Sequence, residues 1–193
     1  MFFLSLIEHT FRLPPHLLSL PLEEAVKGEL ERLFLDKVVQ DLGLCISVYD
    51  IQKIIGGFIY PGEGASTYTV KFRLMMFRPF VGEVIAAKLK ESDADGLHLS
   101  LGFFDDIHVP AHLMPKPSRF GPCPENEGSK LWMWEYDEGQ TLFIDGEDEI
   151  RFRVQSVKYP PIPIEQSEGS KPFAPMVVTG SIAEEGLGPI SWW

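Results

Sequence analysis

Residues 96–109, GLHLSLGFFDDIHV, alternate apolar and polar side chains and then reverse direction. Leu97, Leu99, Leu101 and Phe103 fall on one side and His98, Ser100, Gly102 and Phe104 on the other, the period of a strand with one buried face. Asp105 and Asp106 supply a polar turn, and Ile107 and Val109 begin a second strand. Burying the four apolar residues contributes roughly 6–12 kcal/mol, an upper bound because unfolded chains already bury some surface. The opposite face presents His98, Phe104 and His108. An outward phenyl ring flanked by imidazoles on a small β-barrel suits base stacking. The alternative is a ring packed under a neighbouring loop or domain.

At 193 residues the chain suits one large domain or two small ones. With 45% hydrophobic and 23% charged residues it is of ordinary globular composition. No apolar run approaches the roughly 20 residues of a membrane helix, so no membrane contact is expected. The apolar start reaches Glu8 without a basic leader, which fits a first strand rather than a secretory signal. Cys45 and Cys123 lie far apart with no thiol at metal-ligand spacing, and reduced thiols in an intracellular protein are expected, with a single disulfide as the alternative. The net charge of −11 is uneven: residues 1–80 carry −1 and residues 81–193 carry −10. Such a field opposes tight, nonspecific binding to a polyanion.

Along the chain, residues 2–10 predict a strand and residues 21–42 a helix. Leu22, Val26, Leu30, Leu33 and Val38 recur near every third or fourth position, with Ala25 and Phe34 widening the stripe. Pro21 and the acidic Glu23 and Glu24 suit its start, and Gly43 its stop. A strand over 44–55 is then broken by Gly56-Gly57, and PGEGA at 61–65 forms a turn rich in residues that tolerate positive φ. Residues 67–78 alternate strictly, with Tyr68, Val70, Phe72, Leu74 and Met76 on one face. The first module is therefore α+β, and Arg78-Pro79-Phe80 marks its end.

The second module reads as all-β. Ile85, Ala87 and Leu89 point inward, with Lys88 and Lys90 outward. After the 97–109 pair, residues 115–128 read as a loop, 131–136 and 140–144 as a hairpin, and 150–157 as an alternating strand. Residues 159–175 are too rich in proline and polar groups for a strand and form an excursion before a last strand at 176–182. Five or six short strands around an insertion suggest an OB-type barrel, whose ligand face lies on the second and third strands. The expected domains are 1–79 and 80–193, the latter with a flexible excursion near 160–175.

The chain lacks a phosphate-binding glycine loop and a nucleophile motif. His108 and His112 lack a third ligand at zinc spacing, and Asp145, Glu147, Asp148 and Glu149 read as solvated turn charges. Neither a metal nor another cofactor is expected.

Several strings, taken in order, resemble the stalk subunits of nuclear RNA polymerases, a family with archaeal as well as eukaryotic members. They are the PGEGAS turn at 61–66, FRPFVGEV at 77–84 and the barrel hairpin. The RNA polymerase III branch is nearest, through GLCISVYDI at 43–51, LSLGFFDDIHVP at 99–110, LWMWEY at 131–136, EIRFRV at 149–154 and the ending GSIAEEGLGPISWW. The resemblance covers nearly the whole chain. It implies an N-terminal tip domain followed by an OB barrel of the S-one RNA-binding type. It also implies a noncatalytic nuclear subunit that heterodimerises with a small helical partner, joins the RNA polymerase III core and supports initiation factors. By this analogy Pro61, Gly62 and Gly64 dock toward the core.

Two functional readings follow. In the first, protein contacts dominate, and Trp132, Trp134, Trp192 and Trp193 supply anchoring area or plug a domain interface. In the second, the chain is a free-standing OB-fold protein that binds single-stranded RNA through Lys88, Lys90, His98, Phe104, His108, Arg151 and Arg153, if these share one face.

Overall fold

The computed structural model describes residues 1–122, 130–137, 140–145, 149–163 and 172–193. The chain divides into two units, Met1–Arg78 and Pro79–Trp193.

In the first unit, strand β1 (Phe2–Leu13) precedes helix α1 (Leu22–Phe34), a short strand β2 (Val38–Val39), and the long strands β3 (Gly43–Ile59) and β4 (Ser66–Phe77). They form one antiparallel sheet in the order β1-β4-β3-β2. Val70, Phe72, Leu74 and Met76 are fully buried on the face predicted by their alternation. They meet Ala25, Val26 and Leu30 of α1, together with Phe11, Leu13, Cys45 and Val48. Glu29 is also buried on the helix, and it is satisfied by Arg32, which donates from Nε at 3.0 Å.

Two boundaries differ from the sequence reading. The helix stops at Phe34 rather than near residue 42, because Asp36 takes a left-handed φ of 57° and Lys37 donates back to Phe34 O. Val38, counted in the apolar stripe, instead pairs with Leu44 as a strand. Gly56 and Gly57 do not break β3; both adopt positive φ, and the register shifts there while pairing to β4 continues. They form a bulge, which glycine permits without steric cost.

The second unit holds β5 (Val84–Ser92), β6 (Gly96–Ser100), β7 (Ile107–Pro110), β8 (Ser118–Pro122), β9 (Lys130–Asp137), β10 (Gln140–Ile144), β11 (Glu149–Lys158), β12 (Val177–Ser181) and β13 (Gly188–Pro189). β5 pairs with β6, β6 with β7, β7 with β12 in parallel, β12 with β11, and β11 back with β5. That circuit is a closed five-stranded barrel, the OB arrangement, with every backbone edge of the ring paired. Ile85, Leu97, Leu99, Ile107, Val109, Phe152, Val154 and Val178 fill it. Strands β8, β9 and β10 form a separate three-stranded sheet, inserted in sequence between β7 and β11. The 131–136 and 140–144 hairpin is present. The loop expected over 115–128 contains β8, a strand hidden in the sequence by its serine, glycine and proline content. Residues 164–171, the middle half of the excursion expected near 160–175, lie outside the described residues.

The reversal at 101–106 corrects the opening expectation. Strand β6 ends at Ser100, Gly102 adopts φ +84°, and the Leu101 N–H donates to Phe104 O at 2.9 Å. A left-handed residue interrupts the alternation. Phe103 is consequently 46% exposed and Phe104 only 6% exposed, the reverse of their predicted placement. Leu101 is half-buried.

Candidate nucleic-acid and protein interfaces

The outer face of the barrel is set by register. Glu91 stands opposite His98, His98 opposite His108, and His108 beside Thr179, so one row crosses β5, β6, β7 and β12. The two imidazoles stack, with centroids 4.8 Å apart and planes at 29°. His98 Nε2 lies 3.3 Å from Asp93 Oδ2. Asp93 sits in the β5–β6 turn, where burial pushes its carboxyl up. Backbone N–H bonds from Gly96 and Asp95 and the neighbouring His98 outweigh this and hold it below its ordinary value. A carboxylate thus orients one ring of the stacked pair.

Lys88 occupies the adjacent row, opposite Ser100 on β6 and Glu149 on β11. Lys90 leans over the 101–106 turn. Its Nζ donates to Asp105 Oδ2 at 2.6 Å, Ser100 Oγ donates to Asp105 Oδ1 at 2.5 Å, and Gly102 N–H donates to Ser100 Oγ at 2.9 Å. This network clamps the turn and engages the lysine charge. Arg151 and Arg153 lie further along the barrel, opposite Ala86 and Val84. Arg153 is paired with Glu184 at 3.1 Å. The histidines therefore come together, Lys88 lies one row away, and the two arginines form a separate pair of positions. Phe104 does not join them, since its ring is buried. Phe103 is the exposed ring of the turn, and the shift of phase imposed by Gly102 is the signal that would have identified it.

The tip turn joins β3 to β4. Gly62 and Gly64 have φ of 86° and 67°, and a Cβ at either would meet open space, so conformation rather than packing calls for glycine. Arg12 reaches across to Glu63 at 2.9 Å and ties the turn to β1. Beside it, Phe58, Ile59 and Tyr60 are 68%, 62% and 54% exposed. The turn is thus flanked by a short apolar ledge, which was legible only as three residues after a glycine pair. Exposed apolar clusters of this kind commonly mark interaction sites.

The tryptophans divide. Trp132 is buried and donates from Nε1 to Asp93 O at 2.9 Å, joining β9 to the β5–β6 turn. It is a core residue of the second unit, which corrects its reading as an anchor. Trp134 packs on Trp192 at 5.2 Å, and Trp192 donates to Phe143 O at 3.3 Å. Trp193 donates from Nε1 to Leu187 O at 2.9 Å and remains half-exposed. Among the described residues no His, Cys, Asp and Glu cluster could hold a metal ion, and no helix is long and apolar enough to cross a membrane.

A helix-backed sheet with an exposed glycine turn, followed by an OB-type barrel, makes this a two-module protein of α+β and barrel type. Residues 8–64 match the SHS2 domain found in the N terminus of Rpb7p/Rpc25p/MJ0397. Residues 83–193 match RNA polymerase III subunit Rpc25, and the chain belongs to that family. It is 37% identical over 206 residues to the DNA-directed RNA polymerase III subunit RPC8 of Bos taurus, covering all of this chain and 98% of the bovine protein. It is 33% identical over 207 residues to the RNA polymerase III subunit rpc8 of Schizosaccharomyces pombe, covering the full length of both. The archaeal RNA polymerase subunit Rpo7 of Saccharolobus solfataricus is 29% identical over 99 residues, 51% of this chain and 55% of the archaeal one.

Proposed function

We propose that this chain is a noncatalytic stalk subunit of nuclear RNA polymerase III that works by adhesion. It pairs with a small helical partner subunit, docks on the polymerase core through the turn at Pro61, Gly62 and Gly64, supports initiation factors, and touches emerging single-stranded RNA with the outer barrel face. The observation that carries this reading is the joint presence, in one chain, of the SHS2-type module and the Rpc25-type barrel. The ledge of Phe58, Ile59 and Tyr60 supports docking at the tip, because apolar surface beside a turn gains most when covered by protein. On the barrel, the His98–His108 stack with Lys88 nearby supports a local RNA contact, whereas the −10 charge of residues 81–193 limits its strength.

Affinity isolation of the tagged protein from cells at moderate salt tests the proposal. Co-purification of the large polymerase subunits and one small helical protein is the expected result. The half-buried imidazole stack on the outer barrel face favours a second reading, a free-standing OB-fold protein that binds single-stranded RNA. A ribonuclease-sensitive set of proteins without polymerase subunits would select it.

A further inference from the structure

We propose that the cavity of about 300 Å³ between β9 and the C-terminal segment receives a cationic side chain, an arginine or a methylated lysine, presented by a basic segment of a partner protein. This site is independent of the stalk reading. Trp134, Tyr136 and Trp193 line it together with Pro115, and Glu184 and Glu185 complete its wall. No lysine, arginine or histidine is among the lining residues.

The aromatic walls are held in place before any ligand arrives. Trp134 is wedged between Tyr136, edge-on at 5.1 Å, and Trp192 at 5.2 Å. The Trp193 indole is fixed by its bond to Leu187 O. Rings so constrained lose little freedom on binding, and their faces attract a cation through the ring quadrupole. Glu184 is engaged by Arg153, which leaves Glu185 as the carboxylate facing the incoming charge. A phosphate is disfavoured here by Glu185, and a neutral apolar side chain would desolvate Glu185 without compensation. Aromatic walls with one carboxylate, Glu185, beside the Arg153-paired Glu184 are complementary to one class of ligand, an organic cation with apolar flanks.

The test follows the indole N–H signals of the full-length chain by NMR. The probes are tetramethylammonium chloride and three otherwise identical basic peptides carrying a central arginine, trimethyl-lysine or norleucine. The cationic peptides should shift the Trp134 and Trp193 signals and bind about 3- to 30-fold more tightly than the norleucine peptide, the range of a cation–aromatic contact. Glu185→Gln, on the rim, should remove part of that preference without changing melting. Trp193→Leu should abolish the preference and Trp193→Phe should retain some of it. Equal binding of the norleucine peptide would overturn the proposal. So would an octauridylate that shifts the same signals while the cationic peptides leave them unmoved.

Discussion

A Cβ at Gly43 would stand 2.1 Å from the carbonyl oxygen of Phe77, and the residue holds φ at +100°. Gly28 lies in helix α1, where a Cβ would meet nothing within 4 Å. The two glycines therefore predict opposite outcomes. Gly43→Ala should lower the unfolding free energy by about 2 kcal/mol or more through strain and collision. Gly28→Ala should raise it by about 0.5–1 kcal/mol, because alanine loses less conformational freedom in a helix. Denaturant titration of the two variants checks both signs. Asp105 predicts a pH effect. Lys90 foremost, and Ser100, hold its carboxyl below the ordinary range despite some burial. Its stabilising contribution is complete above the unfolded value of about 4 and is lost as pH falls through the lower folded value. Asp106 opposes this, since burial and then Asp105 push its carboxyl up and its protonation favours the fold. Asp105→Asn should therefore flatten the acid limb of stability measured between roughly pH 5 and pH 2.

Among elements, the 101–106 turn carries the sharpest prediction. Phe104→Ala opens a hole in the barrel wall and should cost about 3–5 kcal/mol, whereas Phe103→Ala at the surface should stay within about 0.5 kcal/mol. Thermal melting of the pair distinguishes them. The strictly alternating strand β4 was legible because each of its apolar residues meets the same helix-covered face. The two-residue hairpin arithmetic at Asp105-Asp106 was not, because one left-handed glycine shifted the side-chain phase. Helix α1 was overextended for a related reason: Leu33 and Val38 kept an apolar rhythm across a left-handed Asp36 that composition does not announce. Strand β8 was missed because its pairing to β9, rather than its own propensity, holds it. At the candidate interface, the outward placement of His98 and His108 could be read from the alternation, but not their pairing, because a turn at Asp105-Asp106 would set His108 opposite Phe103. The engagement of Lys90 by Asp105 and of Arg153 by Glu184 could not, since both depend on contacts between separate elements.

For the molecule as a whole, those ion pairs predict a weak, shallow salt response. With Lys90 and Arg153 engaged, Lys88 and Arg151 supply about two phosphate contacts, so single-strand RNA affinity should fall with log salt at a slope of about −1.4. A slope steeper than about −3 in filter binding would mean that the internal pairs break on binding. The C-terminal tryptophans predict a stability effect. A Cβ at Gly188 would meet the Trp192 ring at 2.7 Å, so that indole lies flat against the backbone there. Removal of residues 191–193 should lower the melting temperature of the second unit; unchanged melting would assign these tryptophans to partner binding alone. The parallel pairing of β7 with β12 has a temporal consequence. Residues 107–110 must wait for residues 177–181, made much later in the chain, before they acquire that neighbour. Until then a nascent chain exposes an unsealed margin able to pair with foreign strands, so a window of vulnerability to misassembly opens once β7 is made and closes only when β12 follows, about a third of the chain later.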